Sequence, residues 1–517
     1  MIGIVNYGAG NLQSILNALE KLNFDYFMIN SKEDMTVPMD LCLFPGVGHF
    51  DNAITNLHQK GLFKPLKDYI LADKPYFGIC IGMQVLFKKS DEGICEGLGI
   101  FEDTVTKLSP NKPVPHMGWN VIYPKSFPSS DYEKHFYFVH SYAVPSSDKA
   151  YIHSTSCYGD SEFVSSVKYK KLFATQFHPE KSGQFGIQFI KNILNTVVFE
   201  PITVEITKKC RLTKRIIACL DVREDENGEL VVTKGYGYDV RQSGKIRNIG
   251  NPVVMSKKYY NANVDELCFL SIKSYNNNPL DTPLIQLLKD VSKEVFVPLT
   301  IGGGISDKLD AHNNVIKAVD IAAAYFIAGA DKVSIGSDAV KSVIKYLNDG
   351  DRDCSISNIA KAYGHQAVVV SIDPKRTFIT QLDKAKYEHD GYTVLELNNK
   401  FCIYNATISG GRTSMPLCAI KLAITAVELG AGELIVNCID EDGKCNGFDL
   451  VLLKSIRESV AVPLIASSGA GNAQHFVDAF AIDCDAALAA GIFHRDEISI
   501  DSVKSFCHSS SLEIRLK

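Results

Sequence analysis

Two α/β domains in series, an open-sheet domain followed by a closed (β/α)8 barrel, are what this sequence predicts, and three observations predict them. The 517 residues exceed what one ordinary core fills, while an eightfold α/β barrel alone takes about 250 residues. Residues 1–198 alternate short β-branched runs, glycine-rich turns and amphipathic stretches, the pattern of an open α/β domain. From residue 211 onward, eight apolar runs recur with helical patterns between them, the count a closed barrel requires.

The first α/β unit is Ile2–Asn6, the turn Tyr7-Gly8-Ala9-Gly10, and Asn11–Lys21 with Leu12, Ile15, Leu16 and Leu19 on one helical face. Between Phe199 and Lys214 the pattern lapses into Pro201-Ile202-Thr203 and Thr207-Lys208-Lys209-Cys210-Arg211, which places a linker at residues 199–210. The predicted barrel strands are Ile216–Val222, Glu266–Ile272, Val297–Ile301, Lys332–Ile335, Ala367–Asp373, Glu433–Cys438, Pro463–Ala466 and Ala486–Ala490, with helices such as Leu284–Val291 and Leu417–Leu429 between them. The two halves of the barrel repeat one another. Ala218-Cys219-Leu220-Asp221 on run one resembles Val370-Ser371-Ile372-Asp373 on run five, and Gly302-Gly303-Gly304-Ile305 after run three resembles Ser468-Gly469-Ala470-Gly471 after run seven. Ile321–Ala330, bounded by Asp320 and Asp331, falls far short of the roughly 20 apolar residues of a membrane span and reads as a buried helix.

A formal charge of −5, from 54 Lys and Arg against 59 Asp and Glu, leaves no basic stripe for a phosphate backbone, so no nucleic acid partner is expected. Fourteen cysteines without a pairing pattern, and an apolar strand at the start instead of a basic leader, predict reduced thiols in the cytoplasm and no membrane. No Cys/His cluster has metal-ligand spacing, so neither metal nor cofactor is expected.

Gly78-Ile79-Cys80-Ile81-Gly82-Met83-Gln84 follows an apolar lead-in and precedes an amphipathic run. Flanking glycines let a strand turn sharply into a helix, so that Cys80 projects from the bend. A neutral thiol is a weak nucleophile and needs an imidazole beside it. His178 in Phe177-His178-Pro179-Glu180 supplies one, and Glu180 can hold its tautomer. The glycines of Pro45-Gly46-Val47-Gly48-His49-Phe50 can leave backbone N–H groups facing a developing oxyanion.

Asp221 and Asp373 close runs one and five, on opposite sides of an eight-stranded barrel and at the face where catalytic groups of this fold gather. Two carboxylates flanking one substrate can serve as acid and base when their environments separate their pKa values. The turns Gly302-Gly303-Gly304 and Ser468–Gly471, with Gly469 between, expose N–H groups where helices begin, so each can hold a phosphate. A small substrate with a phosphate at each end would span the mouth.

The Cys80 elbow, the Pro45–Gly48 turn, Pro115-His116-Met117-Gly118-Trp119-Asn120 and Gln176-Phe177-His178-Pro179-Glu180-Lys181 together resemble a class I glutamine amidotransferase, and residues 1–198 resemble the glutaminase of the imidazole glycerol phosphate synthases. Lys214–Val222, Val232-Thr233-Lys234-Gly235, Asp331–Ile335, Ser371–Arg376 and Ala489–His494 resemble the cyclase of the same family, so residues 211–517 are expected to be its barrel. The whole chain is similar to the fused, eukaryotic-type members of that family, which serve histidine biosynthesis. The resemblance implies that Cys80 attacks glutamine, His178 shuttles the proton, Glu180 orients His178, Val47, Gly48 and the Ile81 N–H stabilise the oxyanion, and Gln84 contacts glutamine. It further implies Asp221 and Asp373 as the acid/base pair, Lys234 as a substrate contact, Asp440 and Asp442 lining the mouth, and a charged gate of Arg215, Glu266, Lys332 and Glu433 where strands begin. The chain departs from the bacterial pattern at Ser271, Gly336 and Ser468, where acidic, amide and other side chains are usual.

Neutral ammonia crosses a dry conduit more readily than ammonium. The first domain is therefore expected to dock under the barrel and feed ammonia through its interior. Two other readings stand at this point: a glutaminase serving another phosphosugar acceptor, and a non-catalytic sensor of a bis-phosphorylated metabolite.

Overall fold

The computed structural model describes residues 1–8, 11–109, 111–124, 134–195, 210–234, 241–242, 245–246, 248–272, 282–310 and 312–516. Ala9 and Gly10 of the first turn, Gly235, and all of the expected linker except Cys210 lie outside the described residues.

The N-terminal sheet runs in the order Tyr26–Ile29, Ile2–Val5, Leu41–Phe44, Tyr76–Ile79, Leu172–Thr175, Ser161–Tyr169, Ile152–Tyr158, Tyr123–Pro124. The first five strands are parallel and the rest antiparallel. Tyr76–Ile79, which ends at Cys80, is fully buried between Leu41–Phe44 and Leu172–Thr175. A parallel strand covered on both faces has to be apolar throughout, and its buried position fixes Cys80 at the C-terminal edge of the sheet. The first helix is Gln13–Lys21, two residues later than the periodicity suggested.

The second sheet closes on itself. Its eight parallel strands are Arg215–Glu224, Glu266–Ser271, Leu299–Gly302, Lys332–Ile335, Val368–Ile372, Glu433–Asn437, Leu464–Ser467 and Ala486–Ala489, the last pairing back to the first. Each predicted run contains its strand to within two residues. The first strand continues past Asp221 into an antiparallel hairpin with Leu230–Thr233, in which Thr233 pairs Asp221 and so delivers Lys234 to the mouth. Residues inside the barrel, among them Ile217, Cys219, Cys268, Val369, Ile435, Ile465 and Leu488, form an apolar cluster of their own.

One segment differs from expectation. Between the fifth strand and its helix lies a four-stranded antiparallel sheet of Pro374–Ile379, Leu395–Leu397, Lys400–Ile408 and Thr413–Cys418, so Leu417 and Cys418 end a strand and the helix is Ala419–Leu429. Apolar Leu417 continues the helical period by coincidence of composition. The apolar run at Ile321 belongs to helix Ala318–Ile327, with Ile321, Ala322, Tyr325 and Phe326 buried. Among the described residues no helix is long and apolar enough to cross a membrane.

The N-terminal domain seats on the face of the barrel where strands begin. Thr213 N–H donates to Trp119 O at 3.0 Å just before the first strand, and Trp119 Nε1 donates to Asp265 O at 3.1 Å just before the second. Gly183 N–H donates to Phe296 O before the third, and Asn11 Nδ2 donates to Gly329 O and Asp331 Oδ1 before the fourth. Asn52 Nδ2 donates to Lys361 O before the fifth, and Val114 N–H to Ala461 O before the seventh. Lys181, buried, and Asp331, partly exposed, form an ion pair at 2.6 Å. Met117, Trp119, Tyr137 and Val139 belong to the barrel's own hydrophobic cluster, so the two domains share one core.

Candidate active sites

At Cys80 the backbone takes φ +52°, a left-handed conformation that costs about 1–3 kcal/mol for a residue with a side chain. The bend closes because Gly82 has no Cβ: one there would sit 1.9 Å from Phe44 O. Cys80 is 5% exposed. His178 Nδ1 lies 2.8 Å from Glu180 Oε1, with both side chains almost wholly buried. Burial opposes protonation of His178, but Glu180 and then Cys80 outweigh it and raise its pKa from 6.5 to about 10. Nε2 has no protein hydrogen bond of normal geometry, leaving it the ring atom available to a leaving amine. Glu180 and Cys80 thus both lie near enough to act on the His178 ring.

The expected oxyanion donors are arranged differently. Ile81 N–H donates to Gly46 O at 3.3 Å, and Tyr7 OH donates to Val47 O at 3.0 Å. In this arrangement the Ile81 N–H is engaged by the very turn expected to cooperate with it. Gly48 sits in the same turn, where a Cβ would be 3.1 Å from Tyr7 OH. Gln84, 4% exposed, has its amide nitrogen on Tyr142 O at 3.0 Å and Gln176 Oε1 at 3.1 Å.

Behind His178 lies the barrel floor. Arg215 meets Glu266 at 2.9 Å and Glu433 at 2.5 Å, while Lys332 meets both carboxylates at 2.6 Å, every side chain at most 1% exposed. Thr300 OH donates to Glu266 as well. The four charges close one another off as a plug, and Glu433 is held below the ordinary carboxylate range because Arg215 and Lys332 outweigh its burial.

At the other end of the barrel a cavity of about 670 Å³ is lined by Asp221, Lys234, Gly303, Gly304, Asp373, Asn437, Asp442, Ser468 and Gly469, among others. Lys234 Nζ lies 3.1 Å from Asp221 and 3.7 Å from Asp442. Asp373 is held by Asn437 Nδ2 at 2.9 Å, and burial, aided by Asp442, raises its pKa. One carboxylate beside a cation and one desolvated without one is the asymmetry that acid/base work requires.

Gly302 and Gly471 stand behind this lining as packing positions, since a Cβ would meet Leu270 at 2.7 Å or Cys445 O at 2.2 Å. Gly303, at φ +105°, lies over Ser271, where a Cβ would be 2.5 Å from Ser271 O. Asp440 is turned away: its carboxylate accepts from Arg376 N–H at 2.7 Å and fixes the new sheet to the sixth loop. The sequence reading missed Asn437, Gln176 and Glu92. Glu92 accepts from Phe50 N–H at 2.8 Å and is raised to about 7 by burial. A single strand-end Asn or loop Glu carries no periodic signal that would have found it.

A buried Cys-His-Glu centre on an open α/β sheet, docked under a (β/α)8 barrel with two carboxylates in its mouth, defines a glutamine amidotransferase joined to a barrel synthase. Residues 3–197 match the family model described as glutamine amidotransferase class-I, and residues 215–499 match that described as histidine biosynthesis protein. The chain is 42% identical to the chloroplastic imidazole glycerol phosphate synthase hisHF of Arabidopsis thaliana, over 100% of this chain and 90% of that one. It is 40% identical to the hisHF synthase of Emericella nidulans (99% and 98% covered) and 41% to that of Schizosaccharomyces pombe (98% and 98%). The chain belongs to the imidazole glycerol phosphate synthase family, hisHF type, and is a bifunctional glutamine amidotransferase and cyclase of histidine biosynthesis.

Proposed function

We propose that residues 1–198 form the glutaminase and residues 211–517 the cyclase, joined by the linker 199–210, and that ammonia passes between them inside the protein. The Cys80 thiolate attacks the glutamine amide carbon, and His178 protonates the departing nitrogen. Water then hydrolyses the glutamyl thioester to glutamate. The raised pKa of His178 supports this role, since the ring holds a proton at neutral pH. For the oxyanion to be met, Ile81 N–H must leave Gly46 O. Gly46, at φ +148°, has the conformational freedom for the peptide rotation this needs.

Ammonia then crosses the Arg215–Glu266–Lys332–Glu433 gate and the apolar interior to the mouth. There the ribulosyl formimino-carboxamide nucleotide becomes imidazole glycerol phosphate and aminoimidazole carboxamide ribotide. Asp373, desolvated, acts as acid, and Asp221, beside Lys234, as base. Gly303, Gly304, Ser468 and Gly469 cradle the two phosphates. The observation that carries this reading is the seating of the Cys80 centre beneath the strand starts, with the carboxylates at the opposite ends of the same strands. Fourteen free cysteines fit a reducing compartment such as the cytosol.

Cys80→Ala tests the division of labour. Ring closure driven by ammonium salts should persist at the native rate and that driven by glutamine should vanish. Loss of both would refute it.

A further inference from the structure

The segment Pro115–Asn120 has no part in the chemistry derived above, yet strand His116–Val121 lies between the barrel floor and the glutaminase core. One face of the strand carries Met117 and Trp119 onto the barrel, where Lys332 Nζ lies 3.5 Å from Met117 Sδ. The other face carries His116 and Asn120 into the glutaminase core, both 0% exposed.

From there a buried hydrogen-bond chain runs to the nucleophile. Asn120 Nδ2 meets His116 Nε2 at 3.3 Å, and His116 Nδ1 meets His140 Nε2 at 3.1 Å. His140 Nδ1 meets Tyr142 O at 2.9 Å, and the same carbonyl accepts from Gln84 Nε2 at 3.0 Å. Gln84 Nε2 also donates to Gln176 Oε1 at 3.1 Å, and Gln176 Nε2 donates to Cys80 Sγ at 3.5 Å.

The chemistry of each partner fixes every orientation in this chain. Tyr142 O can only accept, so His140 carries its proton on Nδ1 and accepts on Nε2 from His116. Burial keeps both rings neutral, pushing His140 down to about 3 and His116 well below its ordinary value. The same carbonyl requires the nitrogen end of Gln84 to face it. The second hydrogen on that nitrogen then requires the oxygen end of Gln176, and this leaves the Gln176 N–H facing sulfur. A flipped Gln176 would instead aim its oxygen at the thiolate. Because Tyr142 O accepts from both sides, the chain is a positional linkage and not a proton path.

We propose that Gln176 is a catalytic residue of the glutaminase, its amide donating to the Cys80 sulfur, and that His116 and His140 are positioning residues holding it there through Tyr142 and Gln84. The inference rests on Cys80 being the nucleophile. A hydrogen bond to an anion is among the stronger ones, and the Gln176 amide nitrogen lies 3.5 Å from the sulfur.

The test is a double-mutant cycle with Gln176→Leu and His116→Phe. His116 is stacked between Phe138 and Tyr158, at centroid distances of 4.9 and 4.2 Å, so phenylalanine retains the packing and removes only the hydrogen bonds. Gln176→Leu should lower glutamine kcat and the rate of Cys80 alkylation by iodoacetamide about tenfold or more, as loss of a bond to a charged group implies, with KM changed less. His116→Phe should lower the same two quantities by a smaller factor. The double variant should be no slower than Gln176→Leu alone, because His116 acts through Gln176. Ammonium-driven ring closure should stay native in all three. Should His116→Phe not fold, His140→Asn, which retains the donor to Tyr142 and loses the acceptor for His116, carries the same expectation. Native kcat in Gln176→Leu, or factors that multiply in the double variant, would overturn the inference. An active Cys80→Ala would instead overturn the reading beneath it.

Discussion

Lys332 Nζ lies 3.5 Å from Met117 Sδ, so a cation of the buried ion cluster on the barrel floor touches the amidotransferase domain. Removing it should uncouple the two reactions. In Lys332→Met, Glu266 and Glu433 retain only Arg215 as a cationic partner in this cluster, and breaking a buried ionic network of this kind costs about 3–5 kcal/mol. Glutamate formed per imidazole product should rise above one, while thermal unfolding records the loss of stability. A ratio that stays at one would contradict a gating role.

Glu180→Gln should lower glutamine kcat by about 10²–10⁴-fold, the usual range for general acid–base groups, with ammonium-driven ring closure untouched. The pH dependence of stability gives a second check. The folded value for His178, about 10, lies above its ordinary 6.5. Its contribution is therefore fully present below 6.5 and is lost as pH rises through about 10. Thermal unfolding of the native chain should fall more steeply across that window than that of His178→Gln. Parallel curves would count against the buried ion pair.

Asp373→Asn should abolish ring closure, by about 10²-fold or more, and leave glutamine hydrolysis intact. Burial raises the pKa of this carboxyl, so its favourable contribution exists only at acid pH and disappears as pH rises through the folded value. At neutral pH the amide variant should therefore melt higher than the native chain. A lower melting temperature would mean that the charge is compensated in the fold.

Lys181 and Asp331 join the domains within a few residues of both His178 and Lys332. Lys181→Met leaves Asp331 without that partner, and the expected cost is about 3 kcal/mol of docking. Fluorescence of Trp119, the only tryptophan of the chain and an interface residue, should shift toward the exposed range. Unchanged emission would show that the pair does not hold the interface.

Much of this architecture was legible in the residues. The eight barrel runs could be read because interior and exterior of a parallel barrel are both apolar, and the glycines beside Cys80 because only a missing Cβ lets Gly82 approach Phe44 O. Asp221, Asp373 and the four charges of the buried ion cluster stand out as polar residues at the two ends of apolar strands. The sheet between Pro374 and Cys418 stayed hidden, since short antiparallel strands leave a weak pattern. Asp440 and Asp442 look alike in sequence, yet one faces the mouth and the other holds Arg376 N–H, a difference set by the turn around Ile439–Glu441. The chain from His116 to Cys80 depends on four separate segments meeting in space, which no local spacing encodes.

The most direct measurement is the origin of the nitrogen in the imidazole product when amide-labelled glutamine is turned over in excess unlabelled ammonium. Passage inside the protein predicts that the product carries the heavy label almost undiluted. A product labelled only in proportion to the bulk ammonia pool would contradict it.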